Sequence, residues 1–304
     1  MPASWPALQA SASLPGTCGE LFQGTVDGVY CLVSCPIARF SRARVVLRQS
    51  GGWRLPQQAS KAIAALRALL AQAERQCDGG ELALESDLPR SRGYGSSTAD
   101  LGATLYAASA ALGHPLSPAR TVPLAVAIEP SDSTLLPGLA LLDHRHGTVW
   151  QPLGAAPSLS LLVVDPGGEV DTLAFNAVKR DEALRPLRRE HAVAFTLLSQ
   201  GLADGHLLSV GEAATLSARV HQAILHNPLL EQVCQLGRQL GAVGVCRAHS
   251  GTILGLLFDP GRADLPAAEA FARRKLAGVA TVSISALVDG GPRLVSSGQV
   301  MEQA

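Results

Sequence analysis

Aromatic residues and net charge are the two features in which this chain is poorest. Phe, Trp and Tyr make up 4% of its 304 residues, and 25 Lys and Arg residues balance 25 Asp and Glu residues. A neutral chain without aromatic or Arg-rich runs does not suit a general nucleic-acid-binding protein. No stretch approaches the roughly 20 apolar residues that cross a bilayer, and no basic region followed by an apolar segment opens the chain. We therefore expect no nucleic-acid or membrane partner, no secretion signal and a cytoplasmic location.

Cysteine is scarce as well. The six cysteines form no C-x-x-C pair. Cys31 and Cys35 have three residues between them, and a single pair of this kind is weak support for a zinc site. We expect buried free thiols in a reducing compartment.

The composition is otherwise that of a compact protein with ample core, because 47% of the residues are apolar and 16% are charged. Residues 1–13 have no clear period and are interpreted as a loose lead-in. Residues 150–157 contain two Pro and one Gly. We interpret this segment as the junction between two domains, 1–153 and 154–304.

Helical and strand patterns are mixed in both halves of the chain. The strand patterns fall at residues 29–35, 43–48, 81–87, 159–164, 243–247, 252–258 and 280–287. The helical patterns fall at residues 61–76, 98–112, 181–201, 211–226, 228–240 and 265–277. Because strands and helices do not alternate strictly, we predict an α+β fold in two lobes.

The most informative stretch is residues 89–99, which read P-R-S-R-G-Y-G-S-S-T-A. An Ala-rich run that reads as a helix follows it, so the glycines lie where a loop meets a helix N-terminus. Such an end carries unpaired N–H groups and partial positive charge and attracts anions. Glycine lets the backbone approach a bulky polyphosphate with φ > 0, and the hydroxyls can bind a phosphate or its metal. The alternative is an ordinary Gly-Ser turn whose Ser caps the helix.

A second polar segment, E-P-S-D-S-T at residues 129–134, has two carboxylates and three hydroxyls in six residues. A carboxylate at the end of a helix or strand can accept a proton from a substrate hydroxyl, and another can hold Mg²⁺. Asp132 and Glu129 are the candidates for these roles. Capping of a short turn by Asp132 or Ser131 is the competing interpretation and, on these residues alone, the favoured one.

Two glycine-containing segments complete the candidate set. Residues 15–24, P-G-T-C-G-E-L-F-Q-G, imply tight turns with Glu20 as a candidate site group; the alternative is a hairpin turn with a surface Glu. Residues 241–251 read as strand, turn and strand, where small residues permit the close approach of a ligand. We interpret His249 as a hydrogen-bonded structural histidine rather than a catalyst.

Taken in order, these segments resemble the GHMP kinases, a family of ATP-dependent small-molecule kinases. The family's phosphate loop is P-x-x-x-G-[Leu/Ile]-G-S-S-[Ala/Ser], and residues 89–98 match it except that Tyr94 replaces the aliphatic residue and Thr98 the small one. Residues 15–20 and 241–251 resemble the first and third motifs more loosely. The resemblance implies a ribosomal S5 domain 2-like N-terminal lobe and a ferredoxin-like C-terminal lobe, with ATP and the acceptor between them.

Three phrases are similar to the subgroup of this family that phosphorylates L-threonine for cobalamin synthesis. They are C-G-E-L-F-Q-G followed by L-V-S-C-P-I at 32–37, I-E-P-S-D-S at 128–133, and A-H-S-G-T at 248–252. The likeness implies transfer of the γ-phosphoryl group of ATP to the threonine hydroxyl, which gives O-phospho-L-threonine and ADP. The alternatives are a kinase for another small alcohol such as homoserine, a catalytically silent ligand sensor, and an RNA-binding protein, which the neutral charge disfavours. The oligomeric state stays open, with a homodimer as one option.

The resemblance also implies roles for individual residues. Asp132 matches the acidic position near the acceptor hydroxyl, as a base or an orienting charge. Ser97 and Glu129 would contact Mg²⁺. The acceptor would contact Glu20, Ser250 and Gly251. ATP would be bound by Pro89, Arg92, Gly93, Tyr94, Gly95, Ser96, Ser97 and Thr98.

Overall fold

A computed structural model describes residues 6–73, 76–168 and 181–295. The strands are β1 (Leu8–Val26), β2 (Val29–Arg48), β3 (Gly52–Arg54), β4 (Gly79–Ser86), β5 (Leu139–Leu142), β6 (Trp150–Gly154), β7 (Ser160–Asp165), β8 (Gly244–Arg247), β9 (Leu254–Phe258), β10 (Thr281–Ala286) and β11 (Arg293–Val295). The helices are α1 (Ser60–Leu70), α2 (Ser96–Ala111), α3 (Pro118–Val126), α4 (Asp181–Leu184), α5 (Arg188–Ala203), α6 (Leu207–Val220), α7 (Leu230–Leu240) and α8 (Leu265–Lys275). No helix among the described residues is long and apolar enough to span a bilayer.

The strands form one mixed sheet that runs through both halves of the chain. Its main path is β10-β7-β9-β8-β1-β2-β4-β3, with β11 beside β1, and with β5 paired to β2 and β6. The path passes from the first half to the second where Glu20 of β1 pairs with Arg247 of β8. The α+β prediction is confirmed, and a predicted site residue lies at the crossing. The boundary at 153/154 stays a prediction.

Strand β1 corrects two interpretations. The lead-in expected at residues 1–13 is strand from Leu8 onward, and residues 15–24 lie within β1 rather than in tight turns. Three register shifts interrupt its pairing with β2 between Pro15 and Phe22. Gly19 has φ +65°, and a Cβ built on it would lie 2.2 Å from the carbonyl carbon of Arg247. The glycines therefore serve an irregular strand that approaches β8, which is a non-local contact that the local pattern does not reveal.

Other predicted elements have shifted bounds. The two strands expected at 29–35 and 43–48 are one strand, β2, which tolerates Pro36 where its pairing with β1 is irregular. The helix expected over 181–201 is broken by a 3-10 turn at Arg185–Leu187, which contains Pro186 and precedes α5. Residues 150–157 begin with strand β6. The helix expected over 61–76 ends at Leu70.

Helix α2 is buried along most of its length and fixes the loop before it. Twelve of its sixteen residues are buried. Small residues allow α2 to pack closely on β1, since a Cβ on Gly102 would lie 2.5 Å from the Leu14 side chain of that strand. Leu101 and Leu105 are completely buried, and each contributes about 1.5–3 kcal/mol of transfer free energy. A rigid helix thus holds the phosphate-loop sequence against the sheet.

Candidate active site

The loop that precedes α2 has the backbone of an anion-binding turn. Gly93 and Gly95 have φ +99° and +63°, which favour glycine. A Cβ on Gly93 would lie 2.3 Å from the Ala248 Cβ, and one on Gly95 would lie 2.6 Å from Asp132 Oδ2. The N-cap residue of α2 is Gly95, so the alternative of a Ser N-cap does not hold. The first amides of α2 are consequently available to a ligand at this helix end.

A cleft of about 280 Å³ opens over this helix end. Its walls come from β1, the start of α1, the phosphate loop, the segment after α3, and the turn between β8 and β9. The lining includes ten of the predicted site residues, namely Glu20, Gly93, Tyr94, Gly95, Ser96, Ser97, Thr98, Glu129, Asp132 and Ser250. Three lie outside it. Gly251 packs on Gly93, the Arg92 side chain reaches Asp165, and Pro89 is the first residue of the loop motif, away from the helix end.

Glu129 is bound by two side chains of the cleft. Ser97 Oγ donates a hydrogen bond to Glu129 Oε1, and Lys61 Nζ pairs with Oε2. Glu129 is 8% exposed and Lys61 34% exposed. Lys61 was not predicted as a site residue because it lies on an amphipathic helix, where a lysine is usually a solvated surface group. Its partner lies 68 residues further along the chain, so no local pattern signals the pair.

Asp132 lies against the phosphate loop rather than capping a turn. Its backbone N–H donates to Thr98 Oγ1 (3.1 Å). Its carboxylate lies beside Gly95, in the space that a Cβ on that glycine would need. The 3-10 turn Ser133–Leu135 that follows has no side-chain cap from Asp132. Burial raises the pKa of Asp132 to about 7, and the charge of Glu20 adds to the rise. Such a carboxyl is poised to exchange a proton near neutrality.

Glu20 is buried at 6% exposure, so the surface-Glu alternative is wrong. Its Oε2 accepts a hydrogen bond from the His249 backbone N–H (2.9 Å) and shares a second one with His249 Nδ1 (2.5 Å). Burial raises the pKa of Glu20 to about 8, while the His249 N–H opposes the rise. Burial and the nearby Arg247 lower the pKa of His249, which keeps its ring neutral. His249 therefore orients Glu20, in agreement with its structural interpretation.

The charges of the cleft suit a polyanion bound together with a cation. Four carboxylates line it, those of Glu20, Asp100, Glu129 and Asp132, together with Lys61 and Arg90. No group of three or more His, Cys, Asp or Glu side chains within the described residues is arranged to hold a metal ion. Magnesium commonly takes one or two protein oxygens and completes its shell with phosphate oxygens and waters. The Ser97 hydroxyl and the Glu129 carboxylate fit that donor set.

Comparisons with known proteins agree with this geometry. The model of the GHMP kinases N-terminal domain matches residues 59–135, and that of the GHMP kinases C-terminal domain matches residues 198–275. An L-threonine kinase of Citrobacter freundii is 32% identical over 84% of this chain and 88% of its own length. An L-threonine kinase of Salmonella typhimurium is 31% identical over 84% and 85%. The solved homoserine kinase of Cytophaga hutchinsonii superposes with a TM-score of 0.71 at 17% identity, over 94% of this chain and 97% of that one.

Fold, loop and family matches together define an ATP-dependent kinase that phosphorylates the hydroxyl of a small molecule. The chain belongs to the GHMP kinase family. Its phosphate loop carries Tyr94 where the family pattern has an aliphatic residue.

Proposed function

We propose that this kinase phosphorylates L-threonine and gives O-phospho-L-threonine and ADP for cobalamin synthesis. The observation that carries the proposal is the similarity to two L-threonine kinases across 84% of the chain. The cleft supports it, because Asp132 and Glu20 both face the helix end at which a transferable phosphate would lie. An amino-acid acceptor needs a partner for its ammonium group as well as one for its hydroxyl.

The nucleotide half of the site consists of backbone and hydroxyl groups. The N–H groups around Gly93, Gly95 and Ser96 would bind the phosphates, and the positive end of α2 would add to their attraction. Ser97 and Glu129 would hold Mg²⁺, which when bound neutralises charge on the transferring phosphoryl group. In the structure, Lys61 and Ser97 both bind the carboxylate of Glu129. We infer that Lys61 provides a second positive charge for the phosphates once the metal takes its place at Glu129.

The acceptor half consists of Asp132 and Glu20. Asp132 would accept the hydroxyl proton or orient the hydroxyl, and because phosphoryl transfer is loose, orientation carries much of the effect. Oε2 of Glu20 is occupied by His249, so Oε1 is the oxygen that would accept the threonine ammonium group. Ser250 would border the acceptor from the turn after β8.

The test is transfer of the γ-phosphate of labelled ATP to L-threonine, L-serine and L-homoserine under the same conditions. The proposal expects the highest kcat/KM with L-threonine and formation of ADP in equal amount. A preference for L-homoserine would support the homoserine kinase alternative. Nucleotide binding without transfer to any alcohol would support the sensor alternative.

A further inference from the structure

Two side chains of the phosphate loop bind one carboxylate in the second half of the chain. Asp165 ends strand β7 and is 7% exposed. Its Oδ2 accepts a hydrogen bond from Tyr94 Oη (3.2 Å) and pairs with Arg92 Nη1 (3.2 Å). Its Oδ1 accepts from the backbone N–H of Gly167 (2.8 Å). Arg92 and Tyr94 flank Gly93, so the carboxylate binds the loop on both sides of that glycine.

The backbone of the same three residues is bound as well. The Arg92 carbonyl accepts from the N–H groups of Thr252 (2.9 Å) and Ile253 (3.2 Å), and the Tyr94 carbonyl accepts from Thr17 N–H (2.9 Å). These bonds hold the chain on either side of Gly93, whose φ of +99° directs the peptide groups around it. Asp165 binds the two flanking side chains, so its bonds add to the backbone bonds that fix the orientation of the peptide groups at Gly93.

Tyr94 is held from its ring face too. The guanidinium carbon of Arg39 lies 5.6 Å from the Tyr94 ring centroid, and Arg39 Nη2 donates to Ser283 Oγ of β10 (2.8 Å). Burial and the Asp165 charge raise the pKa of Tyr94, so its hydroxyl stays protonated and can donate. An aliphatic residue at this position could not make that bond. Tyr94 and Asp165 therefore act as a pair.

We propose that Asp165 is a positioning residue of the phosphate loop, which holds Arg92 and Tyr94 in the arrangement that directs the loop amides toward the nucleotide phosphates. The inference rests on the nucleotide-binding role proposed for the loop, but not on the identity of the acceptor. It predicts that loss of the Asp165 charge weakens nucleotide binding while acceptor binding is retained, because Asp132 and Glu20 do not contact Asp165.

The experiment compares Asp165→Asn, Tyr94→Phe and the double variant, with Glu269→Gln as the control, since Glu269 forms an exposed ion pair with Arg273 on α8. Calorimetric titration with ADP and Mg²⁺ gives the Kd, steady-state kinetics give KM for ATP and L-threonine, and thermal unfolding gives Tm. We expect Asp165→Asn to raise the ADP Kd about 10-fold, as for loss of charge-assisted hydrogen bonds. Tyr94→Phe should raise it less, and the double variant should match Asp165→Asn, because the two groups act through one bond.

The outcomes separate the two proposals. An ADP Kd within twofold of wild type in both Asp165→Asn and Tyr94→Phe would overturn the positioning role, even if Tm falls. Equal increases in the KM values for ATP and L-threonine would also overturn it, because they would indicate a merely structural effect. Wild-type protein that binds ADP but does not phosphorylate L-threonine would contradict the proposed substrate and leave the Kd comparison valid. Wild-type protein that does not bind ADP would overturn both.

Discussion

Replacing Asp132 by Asn tests the chemistry of the site most sharply. Asn has nearly the same shape and keeps the backbone N–H that donates to Thr98 Oγ1, but its side chain cannot take a proton. Removing a general base costs roughly 10²–10⁴ in rate. We expect kcat to fall about 10²-fold or more, which corresponds to about 2.7 kcal/mol of transition-state stabilisation. The ADP Kd should stay within a few-fold of wild type, because the phosphates would be bound by loop amides.

The pH profile provides a second, independent readout. At subsaturating substrates the rate reports the free enzyme. Asp132 must be ionised to accept a proton and its pKa is raised to about 7, so the wild-type rate should fall as the pH drops through that value. Ionisation of Glu20, whose pKa is raised to about 8, adds a second step to the pH profile of the rate at higher pH. Because the two carboxyl groups interact, the two apparent pKa values describe the pair together. Asp132→Asn should lose the lower step. An unchanged kcat in Asp132→Asn, or an unchanged fall of the rate at low pH, would refute the assignment. The control is Asp87→Asn, because Asp87 forms an exposed ion pair with Arg42.

Three further substitutions test the remaining groups. Ser97→Ala should raise the Mg²⁺ concentration for half-maximal activity several-fold at constant ATP, because one metal contact is lost; an unaltered magnesium dependence would count against that contact. Lys61→Met should raise KM for ATP by about 10-fold while KM for L-threonine holds, since it removes a partly buried positive charge; steady-state kinetics with unchanged KM for ATP would exclude a phosphate role. Glu20→Gln should raise KM for L-threonine about 10-fold or more and remove the step at higher pH, because the carboxyl group whose pKa is raised to about 8 is lost. Equal KM for L-threonine in the two proteins would remove Glu20 from the acceptor site.

The loop before α2 and the helix that follows it were predictable as structural elements because their signals are local. Gly93, Gly95 and the serines lie directly before an Ala-rich run, and a buried helix follows them in the structure. The same locality explains why strands in the second half, such as β7, β9 and β10, fall within two residues of their predicted bounds.

The rest of the site depends on contacts between distant parts of the chain. Glu20 is buried because β1 crosses to β8, and its partner His249 lies 229 residues away. Lys61 meets Glu129, and Arg92 and Tyr94 meet Asp165, across separations of 68, 73 and 71 residues. Local patterns do not encode such pairings. For the same reason, the irregular strand β1 could be read only as a set of turns.

Calorimetric titration of the protein with ADP in the presence of Mg²⁺ tests the central claim most directly, namely that the backbone around residues 93–97 binds the nucleotide phosphates. We predict saturable heat with one site per chain in wild type. In Gly95→Ala the binding should be lost or weakened by about 10-fold or more, because φ is +63° there and a Cβ would lie 2.6 Å from Asp132 Oδ2. Absence of binding heat from well-folded wild-type protein, or equal affinity in the two proteins, would contradict the claim.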